Sequence, residues 1–226
     1  MRSILVTLFL VAGTCNLFAQ TPPSEAELRA YRGLHAAAAR GDLTEIEKLA
    51  AAGEKLEATD ANKRTPLHVA IFQRQGEAAR ALIRFGGNPN ALDTDRYDVI
   101  TIAAVANDTQ MLKIALDGGG NPRAITSRYD GTALIAAAHL GHAEIVRMLI
   151  AAKAPLDHVN NLGWTALIEA VILGDGGRNH IATVEALVKA GANPNITDRN
   201  GVTPLGHARA RNYSEIIKIL QAAGAR

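Results

Sequence analysis

The sequence predicts an all-α solenoid, a stack of about six helix-turn-helix units, and three observations carry that prediction. A start word recurs at Arg32, Thr65, Asp98, Thr132, Thr165 and Thr203, with spacings of 33, 33, 34, 33 and 38 residues. Each start word is followed by a second run of helical apolar periodicity that closes on a turn residue. The 226 residues are 48% hydrophobic but only 4% aromatic. A core built from Ala, Leu, Ile and Val suits thin, closely packed helices better than a sandwich of bulky strands. A period near 33 with two short helices per unit is the sequence pattern of stacked repeats.

The amino end differs from everything after it. Met1 and Arg2 precede the apolar "ILVTLFLVAG" and then "TCNLFAQTPPS". That order is a secretory signal peptide over residues 1–19, cut after Ala19, because the apolar stretch falls well short of the ~20 residues a membrane span needs. The expected location is therefore exported and periplasmic. Secretion and lipid anchoring at Cys15 are the alternatives, although Thr14 stands where a lipid-modified cysteine is preceded by Gly or Ala. Cutting after Ala19 removes Arg2 and the one cysteine, leaving 23 basic against 22 acidic residues, which is compatible with an oxidising compartment. Residues 20–24 form a short linker. Ser24 and Glu27 then make a capping box that opens the first helix behind Pro22 and Pro23.

The units follow in order. Their inner helices begin at "RGLHAAAARGD", "TPLHVAIFQRQ", "DVITIAAVAND", "TALIAAAHLGH", "TALIEAVILGD" and "TPLGHARARNY". The turns closing them fall at Gly41, Arg74, Asn107, Gly141, Gly174 and Asn212. Five of these six tolerate positive φ, and Arg74 is the exception. Outer helices close at Gly53, Gly86, Gly119, Gly191 and Gly224, with Lys153 as the odd member. In the last copy His207 and Arg209 replace the apolar Val69 and Ile71 of the second, which reads as a solvent-facing end cap.

The words Thr65-Pro66-Leu67-His68 and "GANPNITDRNGVTPL" resemble the ankyrin repeat, and the resemblance covers almost all of residues 25–226. It places repeats near 25–57, 58–90, 91–123, 124–157, 158–195 and 196–226, with hairpin finger loops between them. The third copy departs from it with "DVIT", and the fourth and fifth carry "TALI".

Function classes narrow on the same residues. The formal charge of +2 is spread without a basic run, so nucleic acid has no footprint. No "HExxH" or "GxSxG" occurs and no cofactor is implied, so the chain is read as a non-enzyme. His139 and His142 lie three residues apart, but Gly141 between them breaks the helix and turns them apart. His35 and His68 are read as bonding neighbouring turns. The fifth copy carries five extra residues in "GDGGRNHIATVEAL". The alternative to a pure binding module is a metal or enzymatic site in which Asp175 and His180 approach His142. Against it stands a tolerated surface insertion.

The resemblance implies a protein-binding surface on fingers and inner helices. Position by position it takes in Asn62, Arg64, Asp95, Tyr97, Arg128, Tyr129, Asn161, Trp164, Arg199 and Val202 on fingers. Phe72, Gln73, Val105, His139, Leu140, Ile172 and Leu173 are the inner-helix members. Tyr97 and Trp164 share one place, directly before the start word, and either anchor a partner or cover the neighbouring finger. The expected partner is an envelope or secreted protein held by a monomer, with binding serving as inhibition or accessory support.

Overall fold

A computed structural model describes residues 20–226, so the signal-peptide and Cys15 readings lie outside the described residues. Thirteen helices and no strand occur among those residues. A short α1 (Glu25–Ala30) precedes six helix pairs. The inner helices are α2 (Gly33–Arg40), α4 (Pro66–Phe72), α6 (Val99–Val105), α8 (Ala133–His139), α10 (Ala166–Ile172) and α12 (Pro204–Ala210). Their outer partners are α3 (Leu43–Ala51), α5 (Gly76–Arg84), α7 (Thr109–Asp117), α9 (Ala143–Ala151), α11 (Arg178–Lys189) and α13 (Ser214–Ala222). Inner helices pack on neighbouring inner helices and outer on outer, which makes a linear stack.

Each inner helix starts one residue after its start word because the first residue is the N-cap. Thr65, Thr132, Thr165 and Thr203 accept a backbone N–H three residues on. Asp98 performs the same task in the third copy, accepting from Thr101 N at 2.7 Å. The four central inner helices, α4, α6, α8 and α10, are buried on nearly every side, and α8 exposes little beyond His139. Alanine lets their axes approach closely, which explains the scarcity of aromatics.

The turns follow chain geometry more faithfully than residue type. Arg74 adopts φ 56° and Lys153 φ 67°, so both residues that looked exceptional take the left-handed conformation of their glycine and asparagine counterparts. Gly174, expected to turn the fifth copy, does not; Gly176 does, at φ 70°. Gly174 is required for space instead. A Cβ there would lie 2.2 Å from the Ala170 carbonyl oxygen and 2.8 Å from the His180 ring.

Five fingers repeat one backbone design. In each, the side chain of Asp60, Asp93, Ser127, Asn160 or Asp198 accepts the N–H groups two and four residues later. Neighbouring tips are tied by Thr94 N to Asn62 O, Ser127 N to Arg96 O and Asn161 N to Tyr129 O. His35 and His68 tie inner helices to fingers, donating to the Arg64 and Tyr97 carbonyls.

The capping box at Ser24 and Glu27 is present. At the other end, His207 bonds Asp198 and Arg209 is exposed, as an end cap requires.

Candidate protein-interaction surface

The predicted contact residues divide into two groups along the stack. In the carboxy-terminal half, Tyr129, His139, Leu140, Trp164 and Leu173 are half-buried, while Arg128 and Arg199 are exposed. Asn160 fixes the Trp164 backbone by accepting its N–H at 3.0 Å, so the indole stands on a rigid finger. Arg128 pairs with Asp95, and Arg199 donates to the Asn161 carbonyl. These bonds hold both guanidinium groups at finger tips while leaving their surfaces open to solvent.

Beneath this face lies a charge that sequence reasoning passed over. Glu169 is 1% exposed on α10, where the second, third and fourth copies carry Val69, Ile102 and Ala136. Its carboxylate accepts from the Asn160 amide at 2.8 Å and the His139 ring at 3.2 Å. Burial pushes its pKa above the ordinary range, against those two partners. The network fixes the ring of His139, a groove-lining residue, and ties it to the finger that carries Trp164. A lone acid inside an apolar inner helix was the available signal.

The amino-terminal half is different, and two expectations need correction. Arg64 is fully buried and Tyr97 is only 3% exposed, so neither is offered to a partner in this structure. Arg64 is covered because residues 20–31 lie against the first fingers. Its Nε donates to Asp60 at 2.7 Å, one terminal nitrogen donates to the Thr21 carbonyl at 2.9 Å, and the other pairs with Glu27. Tyr97 belongs to the core, not to an exposed aromatic row with Trp164. Phe72 and Val105 are half-buried against the same core, and Asn62 is engaged by Glu27.

The insertion brings together two of the three residues of the metal alternative. His180 Nδ1 lies 2.9 Å from Asp175, but its Nε2 faces the His139 carbonyl at 3.0 Å. His142 turns away and donates to the Ala104 carbonyl at 2.9 Å. Among the described residues no group of three or more His, Cys, Asp or Glu could hold a metal. The extra residues instead lengthen the outer helix, with α11 spanning 12 residues against 9 in α9.

A family profile described as "Ankyrin repeats (3 copies)" matches residues 34–124, 100–198 and 158–226. The chain is 34% identical over 190 residues to the putative ankyrin repeat protein YahD of Escherichia coli (strain K12), covering 84% of this chain and 94% of that one. A B-cell lymphoma 3 protein homolog of Mus musculus is 30% identical over 167 residues, and there the match spans 36% of the longer relative. Among solved structures, an ankyrin repeat domain from Acinetobacter baumannii AYE superposes with TM-score 0.80 at 45% identity, over 85% of this chain and 98% of that one. The ankyrin repeat domain of Bcl-3 superposes with TM-score 0.78 at 28% identity, over 87% of each chain. With six stacked helix pairs, hydrogen-bonded fingers and a profile match over most of its length, the chain belongs to the ankyrin repeat family.

Proposed function

We propose that this protein is an exported, non-catalytic binding module that holds an envelope or secreted protein against the finger and inner-helix face of its fourth to sixth repeats. The observation that supports this reading is Trp164, a half-buried indole on a finger fixed by Asn160, flanked by half-buried Tyr129, Leu140 and Leu173. Exposed Arg128 and Arg199 edge the patch. Aromatic and arginine side chains on a rigid support are the residues that dominate protein interfaces. A stacked fold permits such variation because its stability lies in contacts between repeats, away from the finger tips.

Export rests on the first 19 residues, whose order of charge, apolar run and small residues is that of a cleavable leader. No helix among the described residues is long and apolar enough to cross a membrane. A photo-crosslinking amino acid at Trp164 in living cells, followed by mass spectrometry, tests the reading. It predicts a protein adduct in the envelope fraction, from a chain whose amino terminus is Gln20. No adduct from this position, with a crosslinker on the outer helices as control, would count against the binding face. A chain retaining residues 1–19 in the cytoplasm would count against export alone.

A further inference from the structure

We infer that residues 20–31 are a releasable strap occupying a second binding surface, and that this surface, centred on Arg64, accepts a carboxylate-bearing protein segment when the strap leaves. It concerns the opposite end of the stack from Trp164 and stands independently of that reading.

The strap is attached almost wholly by polar contacts. α1 contains no buried residue. A helix of six residues has little stability of its own. What holds the segment is a set of bonds to three successive parts of the face. Gln20 donates its side-chain amide to the Ile102 carbonyl at 2.8 Å, and Thr21 donates to Asp95 at 2.9 Å. The Thr21 carbonyl and Glu27 carboxylate converge on Arg64, and Asn62 adds a second donor to Glu27 at 2.9 Å. Tyr31, where the strap joins the repeats, bonds Asp60 at 2.6 Å. Pro23 is the one buried apolar residue of Gln20–Ala30.

These bonds form a recognition pattern that another chain could match. A fully buried guanidinium holds Asp60 on its own finger and takes a backbone carbonyl and a second carboxylate from outside. Planar arginine suits such multiple acceptance. Asp60 meets only part of the guanidinium's hydrogen-bonding requirement, so an incoming segment must supply acceptors for the remaining Arg64 nitrogens and the Asn62 amide, and a carboxylate makes the stronger, charge-assisted bond. The occupant this surface fits is therefore a protein segment that presents a backbone carbonyl and, a few residues later, Glu or Asp.

The test uses the full chain with Glu27→Lys and the milder Glu27→Gln. Hydrogen exchange of residues 20–31 is measured alongside that of the fourth to sixth repeats. A fluorescent synthetic peptide of the sequence Gln20–Ala30 is the binding probe, with a second peptide carrying Gln at the Glu27 position as control. Strap exchange should rise at least about tenfold in both variants while the carboxy-terminal repeats keep their protection. The peptide should bind Glu27→Lys at least about tenfold more tightly than the unaltered protein, and the Gln peptide should lose that gain. Unchanged strap exchange in both variants would overturn the release. Equal binding of the two peptides, or equal binding to both proteins, would overturn the assigned surface.

Discussion

Replacing Asp98 by Thr should stabilise the protein at neutral pH, because the third repeat caps its inner helix with a charge where four others use a hydroxyl. Asp98 is 1% exposed, and burial pushes its carboxyl up to about 6 from an ordinary 3.8, against the bonds from Thr101 that favour the anion. At about 1.4 kcal/mol for each tenfold change in proton affinity, that difference costs about 3 kcal/mol once the group is ionised. The folded protein binds this proton more tightly than the unfolded chain. Stability from this group is therefore retained below pH 3.8, falls between 3.8 and about 6, and stays low above it. Threonine keeps the cap and removes the titration. The carboxylate's advantage at a helix N-terminus is already contained in that figure through the Thr101 bonds, so the gain at pH 7 should be about 3 kcal/mol.

His68 sharpens the test. Burial pushes its ring down to about 4 from 6.5, against its bond to the Tyr97 carbonyl. Its contribution is present above pH 6.5 and lost as pH falls through about 4, the opposite direction from Asp98. In the unaltered protein the two nearly cancel across pH 4–6.5, whereas Asp98→Thr leaves the histidine loss of about 3 kcal/mol uncovered. Urea unfolding at intervals from pH 4 to 7.5 measures both curves. A variant no more stable than the parent at pH 7, or a gap between them that does not shrink on acidification, would refute the reasoning.

The core and finger aromatics should separate cleanly. Tyr97→Ala is expected to cost about 3 kcal/mol or more of stability, since it empties a core position. Trp164→Ala should leave unfolding nearly unchanged and weaken capture of the crosslinked partner by about 2 kcal/mol, measured by titration of the purified pair. Gly174→Ala should destabilise by about 2 kcal/mol because its methyl meets the Ala170 carbonyl, as thermal unfolding would show. Lys153→Gly should do the reverse, gaining about 0.5–1 kcal/mol by relieving a side chain at φ 67°.

The period, the helix pairs and the N-caps were legible in the sequence because each is decided within a few residues. Thr65 and Thr203 announce their helices through a hydroxyl and a following proline, and Ser24 does so with Glu27. Positive φ was less legible. Arg74 and Lys153 carry no local preference for it, and take it because the stacked repeats fix where each turn must fall. The fate of Arg64 was hidden for a different reason. Its partners Thr21 and Glu27 lie 43 and 37 residues away, ahead of the first helix pair and with no counterpart in the other units, so no pattern shared between units could reveal the cover. Trp164 stands at the equivalent place in a finger that no such segment crosses, which is why matching positions have unlike exposures.

The strap also compensates for a weakness in how the repeats are joined. The last carbonyls of each inner helix need donors, and the residue ten places after the start word is placed to supply one. His142 bonds Ala104 O at 2.9 Å, His180 in the lengthened copy bonds His139 O at 3.0 Å, and Tyr213 bonds Gly174 O, just beyond α10, at 2.7 Å. At the amino-terminal junctions, which His35 and His68 tie through the fingers, the residue at this one place makes no comparable bond to an inner-helix carbonyl. Gln75 reaches Ala39 O only at 3.5 Å, and Asp108, an acceptor that caps its own α7, donates nothing to the second repeat. Arg74 pairs with Asp108 there from a largely exposed position. Gln20, Thr21 and Glu27 bridge the second and third units, from Asn62 and Arg64 to Asp95 and Ile102. Releasing the strap with Glu27→Lys should therefore speed amide exchange in α4 and α6 while α10 and α12 hold their rates, because stability in a stack is set by nearest neighbours. An equal rise along the whole chain would show that the junctions do not differ in this way.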